Sequence, residues 1–262
     1  MKQLSDIQNF DEFFRTLSSA PRRMLLLDYD GTLAPFVVNR DQAVPYDGIR
    51  ERLELILTQG TTRLVIVSGR WSKHLIPLLA IDPLPEIWGC HGAERVSPDG
   101  SIELTDVDES SIRGLVAADE WAGRNGLRSL IERKPTSLAF HWRGLDTNRV
   151  PHIRDKINRG LKDILEKHRL TLHKFDGGLE LRVPDIDKGK AVARLLEEAN
   201  LNTAIAYLGD DLTDEDAFRA LSGRGLCVLV RPEPRDTAAD LWLKPPEELL
   251  QFLDRWLDNA AD

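Results

Sequence analysis

Apolar runs alternate with amphipathic periods through the first third of the chain. Arg23 to Leu27 reads as a strand, Asp47 to Gln59 as a helix, Arg63 to Val67 as a strand and Ser72 to Ala80 as a helix, the alternation that builds a parallel sheet with crossover helices. It returns late in the chain, where Val192, Leu195, Leu196 and Ala199 keep the i, i+3, i+4, i+7 spacing of one helical face ahead of strands at Ala204 to Leu208 and Leu226 to Val230. Between the two blocks, from about Thr105 to Arg182, the order becomes helix, two strands, helix, two strands. An inserted second domain is expected there.

The faces of the insert are marked. Val150, Ile153, Ile157, Leu161, Ile164 and Leu165 form one stripe opposite Arg154, Lys156, Arg159 and Lys162, which predicts one helix, and an earlier helix is expected over Asp108 to Gly123. Leu138, Phe140 and Trp142 take one side of a strand, leaving His141 and Arg143 on the other, and Leu179, Leu181 and Val183 oppose Glu180 and Arg182. A strand over Arg128 to Lys134 adds Glu132 and Lys134 to a polar side. That polar side has two readings, a solvated surface or a ligand-facing one.

Length and charge narrow the function. A chain of 262 residues can hold two modest cores. Its 35 Lys+Arg against 43 Asp+Glu give a formal charge of −8, so nothing electrostatic favours a nucleic acid or a membrane surface. Cys90 and Cys227 are far apart and each lies in an apolar run, which favours buried structural thiols in a reducing compartment. Met1 to Ala20 lacks the apolar core of a signal peptide, and no stretch has the length of a membrane span. A cytoplasmic protein is expected.

The chemistry sits at strand ends. The run from Met24 through Leu27 delivers Asp28, Tyr29, Asp30, Gly31 and Thr32 into a glycine turn. Side chains at i and i+2 of an extended segment share a face, so Asp28 and Asp30 can reach one reaction volume, one to attack and one to move protons; a carboxylate-rich turn without chemistry is the alternative. Val65-Ile66-Val67 leads into Ser68, Gly69 and Arg70, where a hydroxyl and backbone N–H groups ahead of a helix suit phosphate oxygens. Asp187-Lys188-Gly189-Lys190 opens a helix with an ammonium that can neutralise phosphate and carboxylate, or that is merely solvated. Leu208 to Asp216 carries Asp210, Asp211, Asp214, Glu215 and Asp216, which suit a hard cation or serve the helix dipole.

These four segments, in this order, resemble the signature motifs of the haloacid dehalogenase (HAD) phosphatase superfamily. The resemblance implies an α/β protein: a Rossmann-like core with a parallel sheet over 1–105 and 183–262, and a C2-type α/β cap over 106–182 with an antiparallel sheet and two helices. It implies Asp28 as the nucleophile that forms an aspartyl-phosphate, and Asp30 as the acid that protonates the leaving oxygen and later activates water. Mg²⁺ would be held by Asp28, the Asp30 carbonyl and Asp210, with Asp211 and Asp214 behind them. Gly31, Thr32, Ser68, Gly69 and Lys188 would hold the phosphoryl oxygens.

Across nearly the whole chain the sequence further resembles trehalose-6-phosphate phosphatases, through His91-Gly92-Ala93-Glu94-Arg95, Ile131 to Ser137, Phe140-His141-Trp142-Arg143 and Gly209 to Glu215. Trp142 departs from the tyrosine frequent at that place. The likeness implies Glu132, Lys134, His141 and Glu180 as cap partners of sugar hydroxyls, with Arg70 and Glu94 on the core side. It implies a small sugar phosphate as substrate and functional pairing with a trehalose-phosphate synthase. Another HAD sugar-phosphate phosphatase, a sugar phosphomutase, or a sugar-phosphate sensor without activity would carry the same kind of motifs.

Overall fold

The computed structural model describes residues 2–4, 10–175 and 177–260; residues 1 and 5–9 of the stretch Met1 to Ala20 lie outside them. The chain divides into two compact units, Met1–Glu103 with Asp187–Asp262, and Leu104–Ile186. The insert therefore takes in two residues before and four after the range 106–182 expected from the sequence.

The first unit contains β1 (Lys2–Gln3), α1 (Phe10–Ser19), β2 (Arg22–Leu27), α2 (Ile49–Gln59), β3 (Thr62–Val67), α3 (Ser72–Leu79), β4 (Glu86–Gly89), β5 (Glu94–Val96) and β6 (Ile102–Leu104) before the insert. The insert comprises α4 (Glu109–Arg124), β7 (Ile131–Lys134), β8 (Ser137–His141), α5 (Val150–Gly160), α6 (Lys162–His168), β9 (Thr171–Phe175) and β10 (Gly178–Arg182). The first unit then resumes with α7 (Lys188–Glu198), β11 (Thr203–Gly209), α8 (Asp214–Leu221), β12 (Leu226–Val230), β13 (Leu241–Leu243) and α9 (Glu247–Ala260).

Among the described residues the first unit forms a nine-stranded sheet in the order β1-β13-β12-β11-β2-β3-β4-β5-β6. The strands from β13 to β4 run parallel, and β1 and β5 are antiparallel to their neighbours β13 and β4. Apolar side chains cover both faces, so the central strands read as unbroken apolar runs. Leu25, Leu27, Leu64, Ile66, Leu208 and Val228 pack with Phe14, Leu53, Phe252 and Trp256 of α1, α2 and α9. Leu26, Val65, Ile205, Tyr207 and Leu229 pack with Val192, Leu195 and Phe218 of α7 and α8. Helices on both faces, with the order reversing between β11 and β2, place the ends of β2, β3 and β11 where α/β sheets bind ligands. The register aligns Leu27 with Ile66 and with Leu208, so Asp28, Ser68 and Asp210 leave the sheet at one edge.

The insert is a four-stranded antiparallel sheet in the order β7-β8-β10-β9. Leu138, Phe140, Leu179 and Leu181 pack beneath Ala118, Ala122, Ile157 and Leu161 of its helices. Two sequence expectations need correction. The strand read over Arg128 to Lys134 is a 3₁₀ turn over Arg128–Leu130 followed by the shorter β7. The single second helix is two, α5 and α6, broken after Gly160, so the insert has three helices. Gly160 lets Trp121 approach so closely that a Cβ there would sit 1.9 Å from the indole ring. No helix among the described residues is long and apolar enough to cross a membrane.

Candidate active site

Three buried carboxylates and one buried ammonium meet at the carboxyl ends of β2 and β11. Asp28, Asp210 and Asp214 each offer an oxygen, and these oxygens lie within 4.8 Å of one another. Lys188, at the start of α7, donates to Asp28 Oδ1 at 2.6 Å and to Asp214 Oδ1 at 2.7 Å. The side-chain cap that Asp187 gives to the amide of Lys190, at 2.8 Å, starts α7 where this lysine points into the site. Burial raises the Asp28 carboxyl to about 7, against the lowering effect of Lys188, with Asp214 adding to the rise. Burial followed by the charge of Asp28 pushes Asp210 well above the usual carboxylate range. Burial alone would lower Lys188, but Asp214 and Asp28 outweigh it and hold the ammonium charged.

Asp214 organises the group. Its Oδ1 also accepts from the Tyr207 hydroxyl at 2.6 Å, and its Oδ2 accepts from the backbone N–H groups of Asp210 and Asp211, both at 3.0 Å. Both oxygens are thus engaged by protein donors, which leaves Asp28 and Asp210 as the carboxylates better able to face a cation. Tyr207 was invisible in the sequence, where it is one more apolar-looking residue of the strand ahead of Gly209.

The donor set fits a divalent cation. Fully ionised, three carboxylates would outnumber one ammonium by two charges, an excess that a bound cation would offset, and Asp210 Oδ1 is buried without a hydrogen-bond partner. Gly31 carries φ +86°, and a Cβ there would fall 2.2 Å from Asp210 Oδ2. Only glycine lets the turn after Asp30 pass this carboxylate.

Other candidates are also placed. Asp30 is held by Arg70, whose Nε and Nη2 donate to its two oxygens at 2.6 Å each. Thr32 is fully buried with its Oγ1 unpartnered, and Ser68 Oγ accepts from the Arg70 amide at 3.1 Å. The His91 amide donates to the Ser68 carbonyl at 2.9 Å, and its ring lies so close over Gly69 that a Cβ there would be 2.5 Å away. Glu94 is bonded to the start of α3, accepting from the Ser72 amide at 2.9 Å and the Trp71 indole at 3.1 Å. Asp211 is partly exposed and accepts from the Leu212 amide at 2.7 Å.

The polar face of the insert is a bonded array. The register aligns Glu132 with Ala139 and Ala139 with Glu180, and beside them Lys134 with Ser137 and Ser137 with Arg182. Lys134 and Ser137 donate to Glu180 Oε1 at 2.7 Å each, and Arg182 donates to Oε2 through Nε and Nη2 at 2.9 and 2.7 Å. Glu132 Oε2 lies 2.9 Å from His141 Nε2. Ser137 and Arg182, which the site candidates from sequence did not include, occupy Glu180 from two strands.

Known proteins match both the sequence and the fold. The profile of the trehalose-phosphatase family matches residues 26–242. A probable trehalose-phosphate phosphatase 4 of Oryza sativa subsp. japonica is 31% identical over 271 residues, covering 98% of this chain and 71% of its own length. The C. albicans trehalose-6-phosphate phosphatase C-terminal domain superposes with a TM-score of 0.82 at 23% identity, covering 98% of this chain and 99% of that one. A haloacid dehalogenase-like hydrolase from Bacteroides thetaiotaomicron shares the fold at a TM-score of 0.60 and 18% identity, over 89% of this chain and 99% of that one. The buried carboxylates and Lys188 thus stand on a haloacid dehalogenase fold, in a chain that belongs to the trehalose-phosphatase family of phosphoric monoester hydrolases.

Proposed function

We propose that the chain is a Mg²⁺-dependent phosphatase that hydrolyses trehalose 6-phosphate to trehalose and phosphate. The observation that carries this reading is Lys188 held between Asp28 and Asp214 beside the unpartnered Asp210 oxygen. Asp28 attacks phosphorus, the ester P–O bond breaks, and Asp30 gives its proton to the departing sugar oxygen. Water then attacks the aspartyl-phosphate, Asp30 takes a proton from it, and the P–O bond to Asp28 breaks, returning both carboxyls to their starting state. Asp30 must exchange its bidentate bond with Arg70 for one to the sugar oxygen along this path. Lys188 holds Asp28 in place and, with Ser68 and Thr32, balances the phosphoryl oxygens. Asp28, the Asp30 carbonyl and Asp210 would hold Mg²⁺, which when bound would add positive charge near those oxygens.

Sugar selection falls to the polar face of the insert. Glu132, Lys134 and His141 are the hydroxyl partners, and Glu180, whose carboxylate already accepts four hydrogen bonds, acts by holding Lys134 in place. Cytoplasmic placement is supported by Cys90 and Cys227 both being buried thiols, and cell fractionation tests it. Co-purification tests a pairing with the synthase that would supply the substrate.

The deciding experiment measures phosphate release, with and without Mg²⁺, from trehalose 6-phosphate beside glucose 6-phosphate and sucrose 6-phosphate. Mg²⁺-dependent release that strongly favours trehalose 6-phosphate is expected. Comparable release from another sugar phosphate overturns the substrate, and dependence on a sugar 1,6-bisphosphate with phosphate retained on sugar makes the chain a mutase.

A further inference from the structure

The backbone of the acidic loop is gripped on both of its polar edges. The N–H groups of Asp210 and Asp211 go to Asp214 Oδ2, both at 3.0 Å. Their carbonyls go to two arginines of the segment that follows β12. Arg231 Nη1 donates to the Asp210 carbonyl at 3.0 Å, and Arg235 reaches the same carbonyl through Nε at 3.4 Å and Nη2 at 3.3 Å. Arg235 Nη2 also donates to the Asp211 carbonyl at 2.8 Å. Arg235 is itself anchored, because Nη1 pairs with Glu215 and bonds the Asp236 carbonyl at 2.9 Å. Glu215 is held in turn by the Thr237 hydroxyl and the Ala238 amide, at 2.8 Å each.

We propose that Arg231 and Arg235 are positioning residues for the divalent cation site: they draw the Asp210 and Asp211 carbonyls away and so keep the Asp210 carboxylate turned toward the cation. The inference rests on reading the acidic cluster as a Mg²⁺ site. Free rotation of those two peptides would let the Asp210 side chain leave Asp28, and a cation would then have to order the loop as it bound. A guanidinium is suited to this task, since its fixed fork of donors can hold two carbonyls and a carboxylate together. A lysine offers one compact donor group. Within the β12–β13 segment, Arg231 reaches the carbonyl of Asp210 through one nitrogen and Arg235 through two.

The test is direct Mg²⁺ binding by titration calorimetry on the full chain, in parallel with thermal unfolding in chelator. Groups that orient metal ligands typically change metal affinity by roughly 10- to 100-fold when removed. Arg235→Gln is expected to weaken Mg²⁺ binding by that amount, Arg231→Gln by less, and Arg235→Lys to recover only part of the loss. Wild-type Mg²⁺ affinity in Arg235→Gln and Arg231→Gln, with only the chelator-treated unfolding temperature lowered, makes the clasp a structural brace and overturns the proposal. If Arg235→Gln does not fold, Glu215→Gln, which loosens the anchor and leaves both arginines in place, is read by the same two measurements. Absence of Mg²⁺ binding in the wild-type chain overturns the cation site itself, and the clasp with it.

Discussion

Lys188 holds Asp28 at 2.6 Å while touching Asp214 at 2.7 Å, so one ammonium spans the expected nucleophile and the residue that braces the acidic loop. All three groups are at most 3% exposed, which leaves water little part in balancing them. Lys188→Ala removes the positive charge from a site of buried carboxylates. Turnover is expected to fall by roughly 10²- to 10³-fold or more, the scale of losing one preorganised electrostatic donor. Steady-state phosphate release with circular dichroism on the same sample checks this; a folded variant with near-normal turnover would remove Lys188 from the mechanism.

The elevated Asp28 carboxyl links metal, pH and stability. In the metal-free chain it keeps its proton up to about 7, whereas the unfolded chain releases it near 3.8. The folded state therefore binds more protons between those values, and Asp28 lowers stability as pH rises through the same window. A cation competes with that proton. Mg²⁺ binding at about pH 6 is expected to release protons, and its affinity to drop as pH falls below about 7, approaching tenfold per pH unit for one displaced proton. Calorimetry in two buffers of different ionisation heat measures the release, and a heat independent of buffer would contradict the coupling. Asp28→Asn should lose turnover and shrink the proton release to what Asp210, also held above the usual carboxylate range, gives up.

Gly31 tests how closely the turn after Asp30 and the acidic loop fit. Its φ of +86° and the 2.2 Å approach to Asp210 Oδ2 mean that Gly31→Ala must strain one segment or move the other. A cost of about 1–3 kcal/mol is expected from the backbone strain, seen as a melting temperature lower by about 2–12 °C for a chain of this size. The Mg²⁺-induced rise in melting temperature should shrink as well. An unchanged melting curve with a full Mg²⁺ response would show that the turn has room that this geometry denies.

The placement of the candidate residues was legible where they follow a buried strand. Asp28, Ser68 and Asp210 each come directly after a run that is apolar on both sides, and Lys188 opens a helix, so position along the chain announced position at the sheet edge. Partners from other segments were not legible. Arg70 and Asp30 are 40 positions apart, and nothing local in either segment announces their bidentate bond. Tyr207 hides within an apolar strand, and Arg231 and Arg235 sit in a proline-containing loop with no period to read. Strands of two or three residues, such as β1, β5 and β6, are too short for alternation to show. The close approach of Trp121 to Gly160, where α5 ends, is a tertiary contact that no local pattern announces.

Tyr207 separates bracing from direct catalysis. Its hydroxyl supplies one of the donors to Asp214 Oδ1 and lies within the core beneath the site. Tyr207→Phe keeps the ring and removes that donor, at an expected cost of about 1.5–3 kcal/mol for a hydrogen bond to a charged group. Turnover should fall modestly and Mg²⁺ affinity should weaken, because Asp214 also fixes the amides of Asp210 and Asp211. Unfolding in denaturant and Mg²⁺ titration together decide the point; a change in neither would mean that Lys188 and the two amides suffice to hold Asp214.

Arg182 probes the polar array of the insert that is proposed to read the sugar. It engages Glu180 Oε2 through two donors while Lys134 and Ser137 occupy Oε1, and both Arg182 and Glu180 are buried. Arg182→Lys keeps the charge but loses the two-pronged bond, so Glu180 can rotate and Lys134 loses its fixed anchor. If Lys134 reads the sugar, KM for trehalose 6-phosphate should rise by about tenfold, equivalent to about 1.4 kcal/mol, with kcat changed much less. Hydrolysis of p-nitrophenyl phosphate, which has no sugar hydroxyls, should keep its rate. Equal losses on both substrates would mean that the substitution acts through general destabilisation of the insert, and an unchanged KM for the sugar phosphate would take Lys134 and Glu180 out of sugar recognition.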